Sequence, residues 1–212
     1  MTAATDWHDW HLPYRDDTSP LSRRLRIVQR HITDWLDERS DSSLRVVSIC
    51  AGQGHDLIGA LASRPDTYRV RAELIEYDPR NVAAARRGIV AAQLTGFTVT
   101  HADAGDFAAY RTAAPADLVV LAGVLGNISE EDVRATVDAL PRLCASDATV
   151  IWTRTRRAPD LTPAIRCWFA AAGFAEQAFH APSDVLFSVG VHRFRGQPQQ
   201  APPGGRIFTF AR

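Results

Sequence analysis

Apolar positions along the chain follow two rhythms that take turns. After an irregular opening rich in Trp, His and Asp, Ser19-Pro20 starts a run in which Leu21, Leu25, Val28, Ile32 and Trp35/Leu36 recur at helical spacing. Asp41-Ser42-Ser43 breaks it. Residues 44–50 form a short, β-branched apolar run, the mark of a buried strand. Residues 51–54 then turn into a helix reaching about Ser63. The alternation continues: a strand over 69–76, a long helix from Pro79 with Val82, Ala85 and Ile89 in register, a strand over 97–101 and a fourth over 117–122. Ser129 with Asp132 predicts a helix start through a capping-box-like pair, and that helix runs to about Leu143. A fifth strand over 149–153, a helix from Thr162-Pro163 to Gly173, and two late strands over 174–180 and 185–195 follow. A Pro/Gln/Gly-rich loop at 196–205 leads to a final short alternating strand at 206–210.

Strand and helix in alternation imply a parallel sheet with helices on both faces. The two late strands have no helix between them, so they return as a hairpin and place an antiparallel strand in the sheet. The expected fold class is α/β, a Rossmann-like three-layer sandwich with a mostly parallel seven-stranded sheet and an antiparallel late strand. Residues 1–43 form an arm and helix that cap residues 44–212, within one structural domain. A ligand is expected beyond the carboxyl ends of the strands, at the switch point in strand order.

Composition narrows the chemistry. Of 212 residues 46% are apolar, and 24 basic residues balance 24 acidic ones, so no global basic field attracts nucleic acid or an anionic membrane. Every basic residue is Arg. Without Lys there is no Schiff-base amine and no Walker-type lysine. Cys50, Cys144 and Cys167 show neither metal spacing nor a disulfide framework, and they read as reduced thiols of a cytoplasmic protein. The opening residues lack an apolar signal region, and no stretch is long enough to span a membrane. No nucleic-acid module is appended, which favours a small-molecule acceptor. Oligomeric state is not legible.

Three signals fall at successive strand ends. The first strand runs into Cys50-Ala51-Gly52-Gln53-Gly54-His55-Asp56, where the glycines permit a sharp turn and close approach to a ligand. Glu76, followed by Tyr77, ends the second strand, 22 residues after Gly54, where a carboxylate can accept from both hydroxyls of a ribose. Asp78 precedes Pro79 and serves as the helix cap. Asp103 follows the third strand. Its carboxylate can meet an adenine amino group while the Ala104 N–H meets a ring nitrogen.

With these residues in view, the sequence resembles the class I S-adenosylmethionine-dependent methyltransferases over about residues 44–195, and it looks like an uncharacterised actinobacterial group of methyltransferase-like proteins. The resemblance implies S-adenosylmethionine as cofactor and methyl transfer as the activity. Gly52 and Gly54 match the family's glycine-rich motif, Glu76 its ribose acid and Asp103-Ala104 its adenine motif. Residues 115–128, with Gly123, resemble its fourth strand and the loop lining the reaction centre. Ala172-Gly173-Phe174 resembles the turn into its sixth strand. Two departures stand out: Cys50 where the family usually has an acid, and Asp56 where it often has a third glycine. Asp56 is a candidate for the missing carboxylate. A nicotinamide dinucleotide enzyme is the main alternative. That fingerprint needs glycine where Leu57 stands, and a carboxylate at Asp56 repels a diphosphate. A non-catalytic binding module, motivated by Cys50, is the other.

Methyl transfer needs alignment and, for some acceptors, a base. His8, His11 and Tyr14 sit in a dense aromatic arm that either closes over the cofactor, offering a histidine as base, or simply packs its rings on the body. Asn127 orients substrate or makes the turn before Ser129. Of Arg154, Arg156 and Arg157 leaving the fifth strand, Arg154 is the candidate anion clamp; the alternative is a solvated loop. His192 and Arg193 read as surface or hairpin positions. No metal ligand set is complete.

Overall fold

A computed structural model describes residues 6–210. Its seven-stranded sheet has the order β3-β2-β1-β4-β5-β7-β6, built from β1 (Leu44–Ile49), β2 (Val70–Glu76), β3 (Phe97–His101), β4 (Ala116–Leu121), β5 (Cys144–Thr155), β6 (Phe174–His180) and β7 (Phe187–Phe194). The first five strands run parallel; β7 is antiparallel to both β5 and β6. Central strands bury both faces, which is why β1 and β4, apart from Arg45 and Asp117 near their starts and the buried Ser48, read as near-continuous apolar runs rather than alternating ones. Strand order reverses between β1 and β4, so a crevice opens above their carboxyl ends.

The helices are α1 (Pro20–Asp37), α2 (His55–Leu61), α3 (Pro79–Ala91), α4 (Glu130–Ala139) and α5 (Thr162–Ala171). Local chemistry fixes their starts. Ser19 Oγ accepts from Ser22 N, the Asp78 carboxylate from Arg80 N, and Ser129 Oγ from Asp132 N. Pro20 and Pro79 occupy first-turn positions whose N–H has no helical partner. Two cores result, one on each sheet face. One gathers Val28, Ile32, Leu36 and Leu74; the other gathers Val119, Val137, Trp152 and Phe169. Helix α1 packs its buried stripe on α2 and β7, and no described helix is long and apolar enough to cross a membrane.

Four expectations need correction. The opening segment is not wholly irregular, since Asp9–Arg15 winds into a 3-10 helix. The fifth strand is longer than 149–153, because Cys144–Asp147 continues it beyond a register shift against β4. Residues 206–210 are not a strand. Arg206 makes a single bridge to Asp106, and Ile207 and Phe208 are both buried, which no two-faced strand at a half-buried edge would show. His192 is not a surface residue. It is 1% exposed, accepts from Trp152 Nε1 at 3.1 Å and stacks on Phe169, and burial pulls its pKa down to about 4. Its neighbour Arg193 pairs with Asp147.

Candidate functional site

The chain turns sharply after β1. Cys50, Gly52 and Gly54 all take left-handed backbone angles, φ 51°, 56° and 74°, a sequence of conformations that glycine adopts freely and cysteine rarely. Ala51 N donates to Ile75 O at the end of β2, and Gly54 N to Ala51 O. Glu76 then clamps the bend: its Oε2 accepts from Gly52 N at 2.8 Å and its Oε1 from Asp78 N at 2.7 Å. The carboxyl is 7% exposed, and burial raises its pKa against the lowering effect of those two N–H groups.

This bend floors a cavity of about 660 Å³. Glu76 lines it, with Tyr77 exposed at the rim. Asp103 and Ala104, beyond β3, form the next part of the wall, followed by Gly123 and Asn127 beyond β4. Asp103 Oδ1 accepts from Gly105 N, and Oδ2 pairs with Arg206 at 2.7 Å. The Ala104 N–H donates to no partner among the described residues, whereas its carbonyl takes the Tyr110 hydroxyl. Asn127 Nδ2 donates to Gly123 O at 2.6 Å, so the side chain both shapes its turn and faces the cavity.

Two chain ends roof the cavity. Trp7, Trp10, His11 and Tyr14 come from the arm, Phe208 and Phe210 from the C-terminal segment. The ends meet where Trp7 and Phe210 make an edge-to-face pair, 4.8 Å between centroids. The C-terminal segment is held by Ile207 N to Gly105 O and Phe107 N to Gly205 O. His11 lies on the glycine bend itself, since a methyl group added to Gly52 would overlap its imidazole. His11 Nδ1 sits 2.8 Å from Trp7 O. A carbonyl only accepts, so Nδ1 carries the proton and Nε2 keeps a lone pair. Burial lowers the His11 pKa, so the ring is neutral at pH 7.

No family model and no curated protein matches the chain. Solved structures do. It is similar to a possible exported protein from Bordetella parapertussis (18% identity, 82% of this chain and 68% of that one, TM-score 0.64). It is also similar to an O-methyltransferase family protein from Burkholderia thailandensis (17%, 88% and 62%, TM-score 0.61). A third is the magnesium protoporphyrin IX methyltransferase of Synechocystis, solved with S-adenosylmethionine bound (15%, 92% and 100%, TM-score 0.63). The chain has the class I methyltransferase fold.

Within that fold, the expected cofactor-site residues Cys50, Gly52, Gly54, Asp56, Glu76, Tyr77, Asp103, Ala104 and Gly123 are neighbours around one crevice; all but Gly54 line it, and Gly54 turns the bend from behind. Cys50 offers no charge: burial, with Glu76 and Asp103 nearby, pushes its thiol well above the ordinary value. Of the expected catalytic residues, His11, Tyr14 and Asn127 reach the cavity. His8 does not, since its ring turns to Asp9 at 3.2 Å on the outer side of the arm. Arg154 does not either. Its guanidinium bends back to the Leu125 carbonyl, tying β5 to the β4 loop, while Arg156 binds the carbonyls of Pro182 and Val185. Arg154 and Arg156 thus brace loops.

Sequence reasoning missed Arg24, Phe208 and Phe210. Arg24 projects from the second turn of α1 into the cavity, 8% exposed, with Nη2 donating to Tyr14 Oη and the guanidinium over the Trp10 ring. Its signal was faint: Arg24 shares a buried side of α1 with Val28, one turn on, but an arginine beside Leu25 reads as solvent-facing.

Proposed function

We propose that this chain transfers a methyl group from S-adenosylmethionine to a small-molecule acceptor bearing a hydroxyl or amine proton. One observation carries the reading: the Gly52/Gly54 bend, the Glu76 carboxylate and the Asp103-Ala104 turn converge on one cavity above neighbouring strand ends. A volume of about 660 Å³ suits a small-molecule site. The residues fit an adenosyl group. Each Glu76 oxygen accepts one backbone N–H and retains a lone pair for a ribose hydroxyl. The Ala104 N–H is unengaged within the described residues, as a contact to an adenine ring nitrogen requires.

When bound, the cofactor supplies an electrophilic methyl on a positively charged sulfur. The chain's part is to align and to remove a proton. Asn127 and Gly123 shape the wall at the carboxyl end of β4, where the acceptor would lie. His11 Nε2 takes the acceptor proton as the acceptor oxygen or nitrogen gains the methyl, and Trp7 O holds the resulting imidazolium through Nδ1–H. The aromatic roof excludes water, and the arm of residues 6–15, ahead of α1, acts as a lid whose opening admits ligands. The three free thiols are consistent with a cytoplasmic setting.

A dinucleotide reading is disfavoured, because Asp56 is a buried carboxylate and Leu57 a fully buried side chain where that motif needs an open glycine turn. Calorimetry with S-adenosylmethionine, S-adenosylhomocysteine and NAD tests the cofactor, and labelled-methyl transfer to a panel of phenols, alcohols and amines tests the reaction. Binding of the adenosyl ligands with methylation of at least one acceptor is expected. Tight NAD binding, or no affinity for either adenosyl ligand, would reject the proposal.

A further inference from the structure

The part of the cavity left to the acceptor differs from the part around the glycine bend. The wall beyond β4, residues 122–127, carries no charged side chain, and its Ala122, Gly123 and Asn127 line the cavity. Trp10 stands over this wall, since a methyl group added to Gly123 would lie 3.6 Å from Trp10 Cη2. The Trp10 ring also abuts the His11 imidazole, 5.4 Å between centroids and edge to face. Trp7 and Tyr14 flank it at 6.5 and 6.2 Å. A group held against Trp10 is therefore within a ring's width of both the β4 wall and the His11 base.

Charge and acidity narrow what that group can be. Arg80 is bound by Asp78 and Asp6, and Arg206 by Asp103. Arg24 donates to Tyr14 Oη and feels the Asp56 charge. Along the cavity lining four carboxylates, Asp56, Glu76, Asp78 and Asp103, face three arginines, none of which projects from the β4 wall. An anionic acceptor meets that negative excess, and a cationic one meets the sulfonium. His11 sets the other requirement. Burial lowers its pKa, so it is a weak base. A phenolic hydroxyl, with a pKa of about 10, can give its proton to such a base as its oxygen gains the methyl. An alkanol is far less acidic, and an alkyl amine, protonated below a pKa of about 10.4, holds no lone pair to alkylate.

We infer that the acceptor is an uncharged aromatic ring bearing a hydroxyl, seated on Trp10 with that hydroxyl toward His11 Nε2. The inference rests on the adenosyl reading above and narrows its acceptor. The phenolic oxygen gains the methyl as the methyl–sulfur bond breaks, and its proton passes to His11 Nε2. An aryl methyl ether and a neutral thioether leave. Trp10 is then the residue that selects for aromaticity, because ring-on-ring contact holds a flat acceptor without any charge. The arm that closes the cavity thereby also recognises what it encloses.

Calorimetry with S-adenosylhomocysteine first establishes the cofactor site. Methyl transfer is then compared across para-cresol, β-naphthol, para-hydroxybenzoate, benzylamine and para-methylcyclohexanol. The two neutral phenols should be methylated, with kcat/KM at least about 10-fold above the carboxylate. They should exceed the saturated alcohol and the amine by about 100-fold or more, since His11 cannot take those protons. Trp10→Leu should raise KM for the phenols about 10-fold, change kcat less and leave S-adenosylhomocysteine affinity within about twofold; Trp10→Phe should restore most of the loss. Melting curves of both variants establish that they fold. A preference for the carboxylate, the amine or the saturated alcohol overturns the proposal, as does a Trp10→Leu protein with the wild-type KM for the phenols. Equal losses for the phenols and for S-adenosylhomocysteine in that variant would make the ring a prop for the arm, with the same consequence. A wild-type protein without affinity for S-adenosylhomocysteine removes the adenosyl reading as well. If it binds S-adenosylhomocysteine, yet neither phenol is methylated or binds the S-adenosylhomocysteine-saturated protein, only this inference falls.

Discussion

The floor and the roof of the cavity are built on different principles. The floor is backbone: left-handed residues at 50, 52 and 54, N–H groups on Glu76, and a turn at Asp103-Ala104, each carried by the end of a buried strand. The roof is side chain: Trp7, Trp10, His11 and Tyr14 from one end of the chain and Phe208 and Phe210 from the other. Strand ends are fixed by the sheet hydrogen-bond ladder, so a floor of this kind holds its shape with or without ligand. A roof held by ring contacts opens at far lower cost. Under the proposed function, recognition of the nucleoside belongs to the floor, and proton transfer, access and closure to the roof.

The sharpest way to break that division is His11→Gln. If His11 is the base, turnover should fall about 10²- to 10⁴-fold, while affinity for S-adenosylhomocysteine changes little. Comparable losses in both would erase the distinction between roof and floor. The pH profile gives a second reading. Burial lowers the His11 pKa below its ordinary 6.5, so activity should be flat above pH 6.5 and decline only as pH falls through the depressed value. Stability follows the same sign. The unfolded chain binds the proton more readily, so the contribution is intact above pH 6.5 and is lost on acidification. His192, outside the cavity, adds to that loss. With its pKa near 4 it contributes up to about 3 kcal/mol, lost progressively between pH 6.5 and 4. A variant replacing His192 should therefore flatten the acid limb of the melting curve and leave the acid limb of activity in place.

Gly52→Val attacks the floor. A branched side chain at φ 56° is strained, and its Cβ would overlap the His11 ring. Nucleoside affinity should drop about 100-fold or more, measured by calorimetry on a variant shown to be folded by circular dichroism. Glu76→Ala should cost about 1–3 kcal/mol of S-adenosylhomocysteine binding, because the ribose loses a charged acceptor. Undiminished affinity in a folded Glu76→Ala protein would end the assignment of the floor to a ribose.

The same division decides what the sequence made legible. Strands at 97–101 and 174–180 and the caps at Ser19, Asp78 and Ser129 follow from local rules, and the sheet topology then brings Gly52, Glu76 and Asp103 together because all three sit at strand ends. The roof obeys no such rule. Phe208 and Phe210 lie about 200 residues from Trp7, and nothing in their spacing says that the chain ends meet. Ile207 and Phe208 look like alternating strand residues until the loop beyond β3 is seen to accept both. Arg154 and His192 fail for a related reason. Each is polar on a strand near solvent by count, yet one bends to a carbonyl and the other stacks inside the α5–β7 layer. Tertiary contacts decide such side chains.

The smallest expected effect sharpens the comparison most, because it touches the roof alone. Phe210→Ala removes the edge-to-face partner of Trp7 at 4.8 Å and leaves every floor contact in place. Aromatic pairs contribute about 0.5–1.5 kcal/mol beyond their buried area, so the loss should appear as faster amide exchange and proteolysis across residues 6–15, with the melting temperature nearly unmoved. The sheet carries global stability, whereas the arm opens by local unfolding. If the variant instead lowers the melting temperature as far as a core truncation would, the arm unfolds with the body rather than ahead of it. The two regions would then be one cooperative unit, and a lid that moves independently of its floor would be excluded.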